Sequence, residues 1–258
     1  MQSSNLISVA VIDTGVDPER VNAAHLLTGL NLSDEGDRNE TIDYGTHGTA
    51  IAQTILQIAP EVRIVPIKIV NRQGILRNLE AMSIAFEWIL EHHDRLNIRV
   101  VCAAIADITC SESDEYYAEH PLRPLIAQLR DSQVATVAAA GNGYAHHHRQ
   151  GMAFPAILRE VISVGAIAQT PAGLQLANHS QRLHPSTGTG CHTTFFVEPG
   201  APGDTSGAAA TVAGRLAKLA QPQTTVDEWI DQLEQSCQIV LDEDGLEWEN
   251  HLACCKQC

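Results

Sequence analysis

Apolar residues fall along this chain in two rhythms. Residues 6–12 (Leu-Ile-Ser-Val-Ala-Val-Ile) are a short run rich in β-branched side chains that ends in Asp13-Thr14-Gly15. A strand buried on both faces reads this way, with a loop at its carboxyl end. Residues 62–69, 98–105, 134–139 and 161–164 repeat the pattern, with Pro66 expected at an edge or a bulge because it brings no ladder donor. Between these runs the period lengthens. Residues 78–92 place Leu79, Met82, Ala85, Phe86 and Ile89 at helical spacing. Residues 47–58 (stopped by Pro60), 121–130, the Ala-rich 206–219 and 226–234 complete the predicted helices. Residues 33–43 are acidic, polar and glycine-punctuated, which predicts a loop, and 171–202 hold too many turn formers for more than brief strands. Strands alternating with helices predict an α/β fold: a mainly parallel central sheet with helices on both faces.

Composition narrows this picture. A chain of 258 residues, 44% of them apolar, can bury one substantial core. One domain is expected over residues 1–239, followed by a Cys-rich tail, 240–258, with no assigned role. The net charge of −15 excludes nucleic acid and anionic membrane surfaces as partners, since both select basic patches; a basic peptide is compatible. No apolar run approaches the ~20 residues of a membrane span, and the N-terminus lacks the basic flank and apolar core of an export signal. Cys102, Cys110, Cys191 and Cys237 are scattered while Cys254, Cys255 and Cys258 crowd the end, which is no disulfide framework. A soluble, cytoplasmic protein is the expectation. Cys255-x-x-Cys258 is half a zinc motif without its second pair. His146-His147-His148 cannot all face one ion and reads as a solvated loop. Residues 34–43 lack calcium-ligand spacing. No metal and no cofactor are expected, and oligomeric state is left open.

Chemistry gathers at strand and helix ends. Asp13 follows the first strand, Asn142 follows the strand ending at Ala139, and His47 and Ser206 each open a helix. In open parallel sheets the functional crevice lies beyond the carboxyl ends of the strands. A serine becomes a nucleophile when a base takes its proton and donors receive the oxyanion. Taken singly, Asp13 is a loop residue, His47 and Ser206 are helix caps and Asn142 is a turn residue.

Taken together they carry a resemblance. Val11-Ile12-Asp13-Thr14-Gly15-Val16, Asp43-Tyr44-Gly45-Thr46-His47-Gly48-Thr49-Ala50, Ala138-Ala139-Ala140-Gly141-Asn142 and Thr205-Ser206-Gly207-Ala208-Ala209 occur in this order. The chain resembles the subtilisin-like serine peptidases, the subtilases, from about Leu6 to Ala220, and the order Asp, His, Ser is subtilisin's. The resemblance implies that Asp13 orients His47, that His47 takes the proton of Ser206, and that Asn142 donates to the oxyanion. It implies an extended peptide or protein substrate paired beside Ala104, Ile105 and Ala106, with Gly141 on the facing side. Asp107 would favour a basic side chain there.

The nucleophile block departs from the family. Where subtilases usually read Gly-Thr-Ser-Met-Ala, then Ala or Ser before Pro-His, this chain has Asp204, Gly207, Ala210 and Thr211 at the first glycine, methionine, proline and histidine. The segment from Glu198-Pro199-Gly200 to Ser206 is short, and no pro-domain is expected before the first strand. The resemblance therefore implies a serine endopeptidase, specialised for one precursor or partner. It keeps open a pseudoprotease that binds without cutting, and a peptide ligase or macrocyclase.

Overall fold

The computed structural model describes residues 6–171, 173–242 and 246–252. Strands β1 (Ser8–Asp13), β2 (Leu30–Asn31), β3 (Arg63–Lys68), β4 (Ile98–Ala103), β5 (Ala135–Ala139), β6 (Ile162–Thr170), β7 (Gly173–Leu176), β8 (Phe195–Val197), β9 (Cys237–Leu241) and β10 (Glu247–Leu252) are joined in one sheet. Its order is β2-β3-β1-β4-β5-β6-β8-β10-β9, with β7 antiparallel on β6. Every neighbouring pair from β2 to β10 is parallel, and β9 closes antiparallel on β10. The helices are α1 (His47–Ile58), α2 (Ala81–Leu96), α3 (Leu122–Asp131), α4 (Tyr144–His147), α5 (Asp204–Leu219) and α6 (Val226–Glu234). The expected fold class, a mainly parallel sheet covered on both faces, is the observed one.

Alternation along β1 explains why its run is apolar from Val9 to Ile12. Val9 and Val11 pack with Ile51 and Ile55 of α1, the alanines of α5 and Trp229 of α6. Ala10 and Ile12 pack with Phe86 and Ile89 of α2 and Ile126 and Leu129 of α3. Each successive residue from Val9 to Ile12 enters the opposite core, so both parities are apolar there, while the buried Ser8 donates from Oγ to Leu96 O at 2.7 Å. This parity also places the chemistry. Asp13 continues the Val9, Val11 series and emerges on the α1 and α5 side, and Ala104 continues the Val100, Cys102 series onto the same side. The small side chains of Ala208, Ala209, Ala210 and Ala213 are fully buried and let α5 lie close against the middle strands, while their helix propensity favours the element itself.

Three differences from the sequence expectations have local causes. Pro66 lies inside β3, opposite Val11 of β1, not at an edge strand. Ile64 and Lys68 turn their carbonyls to the residue 27–32 segment, so by alternation the donor-free nitrogen of Pro66 faces that side too, where β2 pairs over two residues only. The strand at 161–164 is longer than expected, because β6 runs on to form a hairpin with β7. The boundary drawn between 239 and 240 falls within β9, and the hairpin beyond it extends the central sheet where a tail was expected. Trp248 of that hairpin is buried against Phe196 and His184, with ring centroids 4.9 and 4.7 Å away. Cys254, Cys255 and Cys258 lie outside the described residues. Among the described residues no helix is long and apolar enough to cross a membrane.

Candidate active site

Strand order reverses at β1: the chain moves outward from β1 to β3, then returns to place β4 on the other flank. The crevice of an open parallel sheet sits at such a switch point. Asp13 ends β1 and Ala104 follows β4 at this place, and the starts of α1 and α5 deliver His47 and Ser206 to it. All four line one open cleft of about 890 Å³.

Helix α1 begins at His47 because side chains satisfy its first amides. Asp43 Oδ2 accepts from Thr49 N and Oγ1 (3.0 and 2.6 Å), its Oδ1 accepts from Gly45 N (2.8 Å), and Thr14 Oγ1 accepts from Gly48 N (2.9 Å). Asp43 and Thr14 thus hold the turn that presents the imidazole. His47 Nδ1 lies 2.8 and 2.9 Å from the two oxygens of Asp13, whose carboxylate is fully buried. A carboxylate only accepts, so this contact puts the Nδ1 proton toward Asp13 and leaves Nε2 free to act as a base.

Burial lowers the His47 pKa, but the hydrogen bond that Nδ1 donates to Asp13 and the charges of Asp13, Asp43 and Asp204 outweigh it, and the imidazole pKa is raised above its ordinary value. Asp204 is exposed on the helix start beside Ser206, and no residue on α1 supplies its charge. Asp204→Asn removes one stabiliser of the imidazolium, so the His47 pKa falls and the neutral base persists to lower pH. Imidazole NMR titration of the two proteins checks this shift.

Ser206 is buried in the first turn of α5, and its Oγ donates to Ala104 O at 2.9 Å. Among the described residues it shares no hydrogen bond with His47. Serine has a single side-chain torsion, so turning Oγ from Ala104 costs one rotamer change and one exchanged hydrogen bond, about 1 kcal/mol. Asn142 Oδ1 accepts from Thr205 N (3.1 Å) and Thr205 Oγ1 (2.8 Å). A backbone N–H can only donate, which fixes the amide's orientation and leaves Nδ2 without a partner among the described residues. Thr205, which the sequence reading passed over, is the residue that sets it.

The unusual nucleophile block is internally consistent. Asp204 has φ 51°, a left-handed conformation that costs a non-glycine residue about 1 kcal/mol and that Asp tolerates better than most. Its Oδ1 lies 3.2 Å from His179 Nε2, an ion-pair distance without hydrogen-bond geometry. The shortened segment before α5 folds directly onto the helix. A Cβ at Gly207 would stand 2.0 Å from Gly200 O, which is why glycine replaces a larger residue there. Thr211 Oγ1 ties the same segment, accepting from Gly200 N (3.1 Å) and donating to Gly207 O (2.9 Å), and Thr54 Oγ1 donates to Ala201 O (2.8 Å).

Ala104, Ile105 and Ala106 line the cleft. The backbones of Ile105 and Ala106 form no hydrogen bond with other described residues. Gly141 does not line it. This residue (φ 106°) is buried behind Gln181, whose Oε1 would lie 2.2 Å from a Cβ built there, so Gln181 and Gly143 take its place on that wall. Asp107 spends Oδ1 on Thr109 N, Thr109 Oγ1 and Phe154 N, at 2.9, 2.5 and 3.0 Å, and so closes a turn. His146 and His147, expected in a solvated loop, sit on α4 at the cleft wall.

The doubly covered parallel sheet thus brings an aspartate-held histidine and a helix-starting serine to one cleft at its carboxyl edge. The chain belongs to the subtilase family, whose model matches residues 4–238. It is 30% identical over 174 residues to an intracellular serine protease of Paenibacillus polymyxa, covering 62% of this chain and 49% of that protein. The major intracellular serine protease of Bacillus subtilis (strain 168) is 26% identical over 190 residues, 69% of this chain and 56% of its own length. The chain thus spans about half the length of the curated relatives it matches. Among solved structures, sphericase matches with a TM-score of 0.72 at 17% identity, over 90% of this chain and 83% of its own. A lanthipeptide protease matches at 0.69 and 16%, over 95% and 85%. These two likenesses concern the fold.

Proposed function

We propose that this chain is a serine endopeptidase acting inside the cell on an extended peptide. The observation that carries the reading is the convergence of the Asp13–His47 pair, Ser206 and the oriented amide of Asn142 on one cleft. In the reaction Ser206 Oγ attacks the substrate carbonyl as His47 Nε2 takes its proton, and Asp13 stabilises the imidazolium. Asn142 Nδ2 and the Ser206 N–H at the start of α5 receive the oxyanion. His47 then protonates the leaving amine, and water releases the acyl group by the same route. The unpaired backbone of Ile105 and Ala106 continues β4 as an open edge on which the substrate adds a strand. The intracellular setting rests on the scattered cysteines and on the two relatives' names. Action on one precursor or partner belongs to the same reading.

A fluorophosphonate probe tests it. Wild type is expected to be labelled and Ser206→Ala not; equal labelling of both removes Ser206 from the nucleophile's role. The hydrogen bond from Ser206 to Ala104 favours a second reading, a cleft that binds peptides without cutting them. Its signature is peptide binding with neither labelling nor cleavage. Mass spectrometry of products with an added amine separates hydrolysis from ligation.

A further inference from the structure

Resting on the peptidase reading, we propose that Gln181 sets the size of the substrate side chain immediately before the cleaved bond and restricts it to short residues such as Gly, Ala and Ser. The walls of the cleft leave from adjacent strands: residues 104–108 follow β4, and Asn142 and Gly143 follow β5. A carbonyl held between Ser206 Oγ and Asn142 Nδ2 directs the side chain before it into the gap between those walls. Gln181 stands in that gap. Its side chain crosses from one wall to the other, with Oε1 accepting from Gly143 N at 3.2 Å and Nε2 donating to Thr109 O at 2.9 Å.

The brace cannot retreat. Gln181 is 1% exposed, and its own N–H is bonded to Gly141 O at 2.8 Å. The next residue, Arg182, is buried and doubly bonded to Asp242. Oε1 packs against Gly141 so closely that a Cβ built there would lie 2.2 Å from it and 2.9 Å from the Cβ of Ala153. A Phe, Leu or Lys side chain would have to displace the amide and strand Gly143 N–H and Thr109 O in a closed space. Losing one such bond is worth about 10-fold in affinity, and two about 100-fold. A glycine, alanine or serine stops short of the amide.

The test reads binding, so it does not depend on turnover. Acetyl-Ala-Ala-Ala-Xaa carboxylates with Xaa = Ala or Phe are titrated calorimetrically into Ser206→Ala protein and into Ser206→Ala with Gln181→Ser. The expected result is that the Ala peptide binds Ser206→Ala about 10-fold or more tightly than the Phe peptide, and that Gln181→Ser brings the ratio to one or inverts it. A brace with only a structural role would weaken both peptides together and leave the ratio alone. That outcome, a preference for Phe in the parent, or no binding of either peptide overturns the proposal. Gln181→Asn keeps the amide one methylene shorter and must move the ratio the same way, which decides the matter should Gln181→Ser not fold. A preserved Ala preference in a protein that fluorophosphonate does not label would reject the peptidase reading while leaving the size limit standing.

Discussion

Asp13→Asn is expected to lower kcat on any cleaved peptide by about 10⁴-fold with little change in KM. Asp13 is fully buried under the imidazole, both its oxygens lie within hydrogen-bond reach of His47 Nδ1, and Oδ1 also accepts from Thr14 N at 2.7 Å. Asparagine fits the same space, so the fold should survive. Its amide, however, offers a donor where the carboxylate could only accept. An Nδ2–H aimed at Nδ1 forces the imidazole proton onto Nε2, the atom that must take the proton of Ser206. The variant also removes a hydrogen bond and a charge that raise the His47 pKa, so that pKa should fall. Steady-state kinetics with imidazole NMR on both proteins measure the two effects. A loss smaller than about 10-fold would contradict the role given to Asp13, since one hydrogen bond lost without the tautomer change costs about that much.

The second large effect lies away from the chemistry. Asp242→Ala is expected to destabilise the protein by about 3–5 kcal/mol, because it takes the Asp242 carboxylate and its two hydrogen bonds away from the buried Arg182 guanidinium. Arg182 and Asp242 are 1% and 3% exposed and meet through two bonds of 2.8 and 2.7 Å. Arg182 also donates to Ser180 O (3.2 Å), and its guanidinium carbon lies 3.3 Å from the centroid of the Tyr144 ring. For a chain of this size the loss corresponds to roughly 6–20 °C in Tm, readable by calorimetry. Arg182→Met in the Asp242→Ala background removes the buried charge and should restore much of the loss. A Tm change under about 2 °C for the single variant would mean that water reaches the pair. The consequence extends to the cleft, since Tyr144 follows the Asn142–Gly143 turn and Gln181 precedes Arg182. The hairpin of β9 and β10 therefore anchors both walls' supports from the far edge of the sheet.

Much of the site was legible in sequence. Asp13, His47, Asn142 and Ser206 each sit at the end of an element whose period is visible in a dozen residues, and the structure brings all four to the rim where parallel strands end. Gly141 misled because adjacency to Asn142 says nothing about which wall its backbone faces. Gln181 carried no signal, since it lies in a turn-rich stretch and reaches the cleft through contacts with Gly141, Gly143 and Thr109, all far from it in the chain. The hairpin after residue 236 was missed for a similar reason. Its strands are short and mixed in polarity, and they hold together through Trp248 on Phe196 and Asp242 on Arg182.

By itself the sequence determined the alternation of buried strands and helices, the helix starts at His47 and in the Ala-rich stretch, and the chain order of Asp, His and Ser, because these rest on periodicity, propensity and capping among near neighbours. Only the tertiary structure decided that the Ser206 hydroxyl rests on Ala104 O, that Gly207 is required by the approach of Gly200, and that Gln181 bridges the cleft. Those depend on atoms that folding brings within 3.3 Å, from positions far apart for Ser206 and Gln181 and across the fold of a short segment for Gly200 and Gly207, and no periodic pattern encodes such a meeting.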